Sequence, residues 1–283
     1  MKRIAFVTCS IKPDFSLDDL IAVDALIAGG AQVRAIPWDS DFADWHTFDK
    51  VVLRSCWNYH LHPAKFLHWL EDLERNNVKL FNSINAVRAN IHKSYLEVLS
   101  RKGVVIPKTT WLSKGASVTL SDFLKKQGWA KAVVKPAISA TAYKTLLVSS
   151  TDSQKHQDVF NDMLNDNDLL VQQFIPEVMH GEVSLIFFNK KFSHAVLKKP
   201  KSEDFRVQND FGGTVESYQP TEKLIREGEK ILSYVEEPLL YARVDGILVN
   251  NQFLLMELEL IEPVLFFKQS NVAAGHFSDI ILH

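Results

Sequence analysis

The stretch Arg243-Val-Asp-Gly-Ile-Leu-Val-Asn-Asn-Gln-Phe-Leu-Leu-Met-Glu-Leu-Glu-Leu-Ile-Glu-Pro263 sets acidic residues inside an otherwise apolar hairpin, and it decides the fold. Successive side chains of a strand point to opposite faces, so Glu257 and Glu259 share one face. Two carboxylates among apolar neighbours repel each other and lose hydration, which is tolerable when a cation lies between them. Hard oxygen ligands at this spacing suit Mg²⁺, which keeps waters and bridges to phosphates. The pattern therefore predicts a metal site that holds a nucleotide.

The turn of this hairpin decides whether Asp245 joins the two glutamates. A three-residue loop at 250–252 places Asp245 opposite Glu257 on the same face, whereas a two-residue loop at 250–251 sends it to the other face. We predict the three-residue loop. A half-exposed edge strand with solvated glutamates explains the Glu-x-Glu pattern as well, so other segments have to decide.

The composition is that of an ordinary globular protein, with 46% hydrophobic and 23% charged residues among 283. A chain of this length buries a large core, and we expect two or three lobes. The net charge of −2 gives no overall attraction to nucleic acid or to an anionic membrane. Cys9 and Cys56 cannot build a disulfide framework or a cysteine-rich zinc site. We expect a cytoplasmic protein with neither nucleic-acid nor membrane partners.

Strands and helices alternate through the first lobe, which we place at residues 1–90. A strand at 4–9, a helix at 17–28 and a strand at 32–36 make a βαβ unit, and hence a parallel sheet. The sheet continues with strands at 50–54 and 78–81, beside helices at 63–75 and 84–100.

Two further lobes follow, at residues 91–170 and 171–283. The first has strands at 132–136 and 145–148 and a helix within 149–168, and a strand at 169–175 leads into a hinge. The second is dominated by strands, with a charged loop at 198–213, a helix at 221–235 and the final hairpin. The fold class is therefore α/β (α+β).

Dispersed lysines would have to form any phosphate site, because the sequence has neither a P-loop nor a Gly-x-Gly-x-x-Gly motif. Lys93 lies on the helix predicted at 84–100, and the apolar neighbours of Lys135 predict a semi-buried ammonium. Solvent exposure of either lysine is the alternative. The loop at 137–142 is small and carries hydroxyl groups, so its backbone N–H groups could close over phosphates.

A substrate pocket is predicted after the strand at 50–54, because open α/β sheets bind ligands at the carboxyl ends of their strands. Arg54, Ser55 and Asn58 lie there. Arg54 could bind a substrate carboxylate through two parallel hydrogen bonds, and a structural arginine that bonds nearby carbonyls is the alternative.

Taken in order, these motifs resemble the ATP-grasp superfamily of carboxylate–amine ligases, in its prokaryotic glutathione-synthetase-like branch. They are a lysine before the small lobe, a Val-x-Lys-Pro strand, a Gln-x-Phe-x-x-Glu hinge, a basic loop ending in Gly-Gly and an Asp…Glu-x-Glu hairpin. Residues 52–58, 181–185 and 256–263 are similar to the O-ureido-serine cyclo-ligases. The resemblance covers nearly the whole chain and implies an N-terminal pre-ATP-grasp lobe and two lobes that grip the nucleotide.

The resemblance implies a set of nucleotide-binding residues: Lys93, Lys135, Ser139, Gln173, Phe174, Ile175, Glu177 and Glu182. In this set the lysines would hold the α and β phosphates, and the backbone at 173–175 would meet adenine. Glu177 would take the ribose hydroxyls. Glu182 would orient Lys135 or a ribose, and an exposed structural glutamate is its alternative.

The resemblance also implies metal, catalytic and substrate residues. Asp245, Glu257 and Glu259 would bind one or two Mg²⁺ ions, for which Mn²⁺ could substitute. Arg206 and Lys199 would face the γ-phosphate and the acyl phosphate, with a solvated basic loop as the alternative. Substrate contacts are implied for Gly212, Gly213 and Glu262.

Two departures from the family pattern stand out. The loop after Lys135 lacks the usual glycines, and Glu259 replaces the asparagine of glutathione synthetases. Glu262 has no standard role, so an amine-binding carboxylate and a solvated or helix-capping glutamate both remain open.

The expected activity is that of an ATP- and Mg²⁺-dependent ligase for a small amino-acid-like substrate, acting through an acyl phosphate. The amine would come from a second molecule or from the same one, which would close a ring. A small-molecule kinase on the same scaffold and a non-catalytic ATP-binding module are the alternatives. A homo-oligomer is compatible with the sequence.

Overall fold

The computed structural model describes residues 1–41, 43–201 and 212–283. Within these ranges the strands are β1 Arg3–Thr8, β2 Gln32–Pro37, β3 Lys50–Leu53, β4 Leu80–Phe81, β5 Thr109–Leu112, β6 Lys131–Pro136, β7 Leu146–Ser149, β8 Leu169–Gln173, β9 Glu182–Phe188, β10 Lys191–Lys199, β11 Thr214–Tyr218, β12 Tyr241–Val249 and β13 Gln252–Glu259. The helices are α1 Leu17–Ala28, α2 Pro63–Arg75, α3 Ile84–Asn90, α4 Tyr95–Arg101, α5 Leu120–Gln127, α6 Gln157–Asp166, α7 Glu222–Ser233 and α8 Ala273–Leu282.

The first sheet has the order β2-β1-β3-β4 and is parallel throughout, which confirms the predicted βαβ opening. Helix α1 begins after Ser16, whose hydroxyl oxygen accepts the Asp19 N–H at 3.0 Å and so satisfies one free donor of the first turn. Helix α2 packs Phe66 and Leu70 into the core beneath β1 and β3.

The second sheet has the order β5-β8-β6-β7 and is antiparallel. Helices α5 and α6 cover one face of it through Leu124 and Phe160. Because β8 is the second strand of this sheet, the lobe boundary predicted between residues 170 and 171 falls inside a strand.

The third sheet has the order β11-β10-β9-β12-β13 and is also antiparallel. Helix α7 packs on one face, while α8, which the sequence did not predict, packs on the other together with α1. The rings of Phe188 in β9 and Phe277 in α8 have centroids 5.2 Å apart. The first and third sheets therefore share one hydrophobic core. No helix within the described ranges is long and apolar enough to cross a membrane.

The helix predicted over residues 84–100 is wrong in one respect, because the chain breaks between α3 and α4. At the break the Lys93 N–H donates to the Ala137 carbonyl at 2.8 Å, so the backbone bonds to the second lobe instead of continuing the helix. Lys93 thus lies in a connection and not on a helix.

Candidate active site

The acidic hairpin has the predicted pairing but not the predicted turn. Val249 pairs with Gln252, so the loop has two residues, Asn250 and Asn251, both with positive φ (50° and 62°). Such a turn alone would send Asp245 to the wrong face. Asp245 nevertheless lies opposite Glu257, because Gly246 pairs with Leu255 and Met256 is left over as a β-bulge.

Gly246 makes the bulged hairpin feasible. A Cβ atom there would lie 2.3 Å from the Phe253 ring and 2.5 Å from the Leu254 carbonyl oxygen. The partner strand approaches so closely that only glycine fits at this position. The strand pairing that contains the bulge therefore requires glycine at position 246.

A cavity of about 520 Å³ opens beside the hairpin, and its lining comes from all three lobes. The second lobe contributes β6 and the segment after β8, the third contributes the hairpin, β9 and β10, and the first contributes the loops after β1 and β3. Its charged lining residues are Lys12, Lys93, Lys135, Glu182, Lys198, Arg243, Asp245, Glu257, Glu259 and Glu262. Buried cations and carboxylates thus meet in one space, which is the arrangement that binding of phosphates and a metal ion requires.

Two basic residues engage the hairpin carboxylates. Lys198 Nζ lies 2.9 Å from Asp245 and 2.5 Å from Glu182. Arg243 contacts Asp245 at 2.8 Å and also Glu259. Burial opposes ionisation of Asp245, yet Arg243 and Lys198 hold its pKa well below the usual range. Burial raises the pKa of Glu182 in spite of its Lys198 partner.

The two lysines that sequence analysis singled out differ in their surroundings. Lys93 donates to Glu257 and, at 2.9 Å, to the Ser139 carbonyl. Burial disfavours its charged form, but Glu257 raises the pKa of Lys93 above its usual value. Lys135 has no ion pair or hydrogen bond within the described part of the chain, and burial lowers its pKa, partly countered by Glu257. An anionic ligand would supply the missing partner.

The segment after β8 lines the opposite wall with Gln173, Phe174 and Ile175. Two of its backbone N–H groups are already bonded, from Gln173 to the Lys108 carbonyl at 2.8 Å and from Phe174 to the Lys131 carbonyl at 3.1 Å. The apolar side chains of Phe174 and Ile175 form the rest of this wall.

The hairpin carboxylates suit Mg²⁺ by their chemistry, because carboxylate oxygens are its preferred ligands in proteins. Across residues 1–41, 43–201 and 212–283, no three His, Cys, Asp or Glu side chains converge closely enough to hold a metal ion. Asp245, Glu257 and Glu259 each contact a lysine or arginine instead. Burial and the neighbouring acids raise the pKa of Glu259 to about 8 despite Arg243. A cation bound beside Glu259 would oppose this shift and favour the charged form of its carboxylate.

Several residues predicted for the site lie away from the cavity. Arg54 is buried and bonds to Asp19 at 2.7 Å and the Pro263 carbonyl at 3.0 Å, so it is the structural arginine of the alternative. Asn58 accepts from Trp38 Nε1 at 2.6 Å and donates to Asp39 at 2.8 Å. Ser55 is buried too. None of the three lines the cavity, and the substrate role of Arg54, Ser55 and Asn58 stays a prediction.

Lys199, predicted to face the γ-phosphate, also points away from the cavity. Alternation along β10 turns Lys198 inward and Lys199 outward, where Lys199 pairs with Glu216 at 2.6 Å. Glu177, Gly212 and Gly213 do not line the cavity either. Arg206 lies outside the described residues.

Sequence analysis missed Lys198, Arg243, Trp57, His60 and Lys12, all of which line the cavity. Period-two alternation places Arg243 on the face of Asp245, and this signal could have found it. The same alternation could have found Lys198 if a strand, and not the charged loop, had been predicted at residues 198–199. No local pattern marks the other three, which lie in loops of the first lobe.

Comparison with known proteins finds family models that match two parts of the chain. The family model of the prokaryotic glutathione synthetase ATP-grasp domain matches residues 98–263, and that of the N-terminal domain of D-cycloserine synthetase DcsG matches residues 4–82. The cycloserine biosynthesis protein DcsG of Streptomyces lavendulae is 26% identical over 305 aligned positions, which cover 99% of this chain and 98% of that protein.

Solved structures agree with the fold. The crystal structure of D-cycloserine synthetase DcsG superposes with a TM-score of 0.86 at 23% identity, covering 99% of this chain and 98% of that one. The D-alanine–D-alanine ligase of Bacillus anthracis complexed with ATP has a TM-score of 0.69 at 14% identity, with coverage of 100% and 96%. At these identities the likeness shows a shared fold.

Proposed function

Because the chain belongs to the family of the prokaryotic glutathione synthetase ATP-grasp domain, and is an ATP-dependent carboxylate–amine ligase, we propose that it activates a small amino-acid-like substrate as an acyl phosphate. The substrate carboxylate attacks the γ-phosphate of ATP and releases ADP. An amine nitrogen of a second molecule, or of the same one, then displaces phosphate and forms the C–N bond. The name of the Streptomyces lavendulae relative, cycloserine biosynthesis protein, supports an amino-acid-derived substrate and ring closure.

The meeting of unpaired Lys135 with the hairpin carboxylates in one cavity carries this proposal. A buried ammonium without a partner costs free energy, and a bound anion reduces that cost. Lys93 supports the same phosphate site, because it lies between Glu257 and the loop that carries Ser139. ATP is the ligand that joins these groups, with adenine against the wall formed by 173–175.

The remaining roles follow from charge. Asp245, Glu257 and Glu259 would hold Mg²⁺, which when bound neutralises phosphate charge and orients the phosphates. Lys198 and Arg243 are the fixed cations that stabilise charge developing on the transferred group. Lys198 is proposed for the role beside the γ-phosphate and the acyl phosphate that the sequence predicted for Lys199. Arg206 stays a prediction for the γ-phosphate, as do Glu177 for the ribose and Gly212 and Gly213 for the substrate.

The three predicted lobes are proposed as functional units, with the second and third gripping the nucleotide. We place the protein in the cytoplasm, because a reducing compartment suits two buried free thiols, Cys9 and Cys56.

The test measures ADP and phosphate release from ATP and Mg²⁺ across a panel of amino acids and carboxylates. We expect Lys135→Ala and Glu257→Gln to lower kcat/KM for ATP by about 10- to 100-fold, because each removes a charged contact worth about 1.5–3 kcal/mol. Lys126→Ala and Glu229→Gln change exposed helix residues and serve as controls. Mass spectrometry of the product identifies the new C–N bond. Failure of the wild-type protein to bind ATP would overturn the proposal.

A further inference from the structure

We propose that Glu262 binds the ammonium group of an α-amino acid in the cavity and so selects amino acids over carboxylates that lack an amine. The inference rests on the proposed function and deepens it, because it names the substrate class and the residue that recognises it.

Different lobes line different parts of the cavity. Lys135 and the segment 172–175 contribute the lining from the second lobe, where the nucleotide is proposed to lie. Lys12, Trp57 and His60 contribute the lining from loops of the first lobe. Glu262 lies beside the first-lobe lining, because its carbonyl oxygen accepts the Trp57 indole N–H at 3.1 Å. The substrate is proposed to bind on this first-lobe side, where it meets Glu262.

Glu262 is a cavity carboxylate without a basic partner. Asp245, Glu257 and Glu259 each contact a lysine or arginine, whereas no Lys, Arg or His nitrogen of the described residues lies within ion-pair distance of Glu262. Burial raises the pKa of Glu262 to about 7, although Lys93 and the neighbouring Tyr59 hydroxyl oppose the shift. A half-buried carboxylate in this state gains free energy from a cationic ligand.

The geometry of an α-amino acid fits these charges. Its ammonium and carboxylate groups are attached to the same carbon atom, so both must find partners in one small region. Lys93 and Arg243 line the same cavity as Glu262, so they are the cations available to the substrate carboxylate. A substrate carboxylate turned toward those cations brings its ammonium group to Glu262.

A divalent metal ion explains Glu262 less well. Glu262 follows β13 by three residues and lies outside the hairpin face that carries the other acids. A lone carboxylate does not supply the several oxygen ligands that Mg²⁺ needs. A single ammonium group is satisfied by one carboxylate and the adjacent tyrosine hydroxyl.

The test compares matched ligands on the wild-type protein. The probes are the D- and L-forms of the standard amino acids and their desamino carboxylates, such as propionate for alanine and 3-hydroxypropionate for serine. Binding is read as a change of melting temperature with the non-hydrolysable ATP analogue AMPPNP and Mg²⁺, and turnover as ADP release with ATP. We expect at least one amino acid to bind and react, and its desamino carboxylate to bind at least about 10-fold more weakly.

The variant Glu262→Gln keeps the shape of the side chain and removes its charge. We expect it to raise KM for the reactive amino acid by about 10- to 100-fold while KM for ATP stays within about twofold. Glu262→Asp keeps the charge and should restore part of the affinity, and Glu229→Gln is the surface control. If Glu262 had a purely structural role, Glu262→Gln would change both KM values, or it would change the melting temperature and neither KM.

Three results would overturn the inference. The first is equal binding of an amino acid and its desamino carboxylate by the wild-type protein. The second is an unchanged KM for the amino acid in Glu262→Gln. The third is a protein that binds AMPPNP but no amino acid, which leaves the ligase assignment standing. Absence of AMPPNP binding would instead contradict the proposed function itself.

Discussion

At the scale of single residues, the buried charges are of two kinds. Some pair with each other and stabilise the fold, and others have no ion-pair partner within the described part of the chain and are available to a ligand. Arg54 and Asp19 are each 2% exposed and pair at 2.7 Å, so their charges compensate each other within the protein. Lys135 and Glu262 have no such partner among the described residues. A buried charge costs free energy unless it is paired, so the unpaired ones mark the binding site.

Glu262 makes a testable contribution to the pH dependence of stability. Its pKa is raised by burial from 4.5 to about 7 in the folded protein, so the folded state holds its proton more tightly than the unfolded chain. Stability is therefore lost as the pH rises from 4.5 to 7, and the loss is complete above this range. The charges that act on it are those of Lys93, Glu257, Glu259 and Arg243, and the Tyr59 hydroxyl hydrogen-bonds it.

We expect Glu262→Gln to raise the free energy of unfolding by about 1–2 kcal/mol at pH 8, relative to wild type, and by nearly nothing at pH 4.5. Guanidinium denaturation at the two pH values measures both differences, with Glu229→Gln as control. A gain of equal size at both pH values would show that the charge is not its cause.

At the scale of elements, the hairpin of β12 and β13 depends on two features that compensate each other. The two-residue turn shifts the register by one residue, and the bulge at Met256 shifts it back. Asp245 and Glu257 consequently face the same cavity. Either feature alone would turn one set of acids toward the opposite face.

Gly246→Ala tests this close packing. Its new Cβ would meet the Leu254 carbonyl oxygen at 2.5 Å, and a backbone atom cannot move away without opening the hairpin. We expect a loss of about 2–3 kcal/mol in the free energy of unfolding and lower affinity for ATP.

The matched control is Gly275→Ala in α8, where a Cβ meets nothing within 4 Å. Alanine is the better helix former, so this variant should gain about 0.5–1 kcal/mol. Urea denaturation compares the two variants. Similar effects of both would mean that the close approach at Gly246 does not constrain the hairpin.

At the scale of the whole molecule, buried polar groups fasten the first lobe to the third. The Tyr241 hydroxyl lies 2.7 Å from the Leu53 carbonyl oxygen and 2.8 Å from that of Ile261. The Asn82 amide donates to the carbonyls of Tyr241 and Leu260 at 2.9 and 2.8 Å. These bonds fix the first-lobe loops, and with them Trp57, against the segment that carries Glu262.

Tyr241→Phe removes the hydroxyl and leaves the buried carbonyl oxygens of Leu53 and Ile261 without this hydrogen-bond donor. We expect a loss of about 1–3 kcal/mol in the free energy of unfolding, because an unsatisfied buried polar group costs its full desolvation. The variant should also weaken binding of the amino acid more than binding of ATP, because loops of the first lobe line the part of the cavity where the amino acid is proposed to bind. Tyr234→Phe, at a half-buried tyrosine of the third lobe, is the control. An unchanged melting temperature would contradict the fastening role.

Sequence and tertiary structure determined different parts of this protein. Period-two and helical patterns sufficed for the parallel first sheet, for a strand around Lys135 and for the shared face of Glu257 and Glu259, because these depend on neighbours along the chain. The break that places Lys93 and the burial of Arg54 against Asp19 could not be predicted. Each depends on a partner far along the chain, and tertiary packing alone decides which partner a buried charge finds.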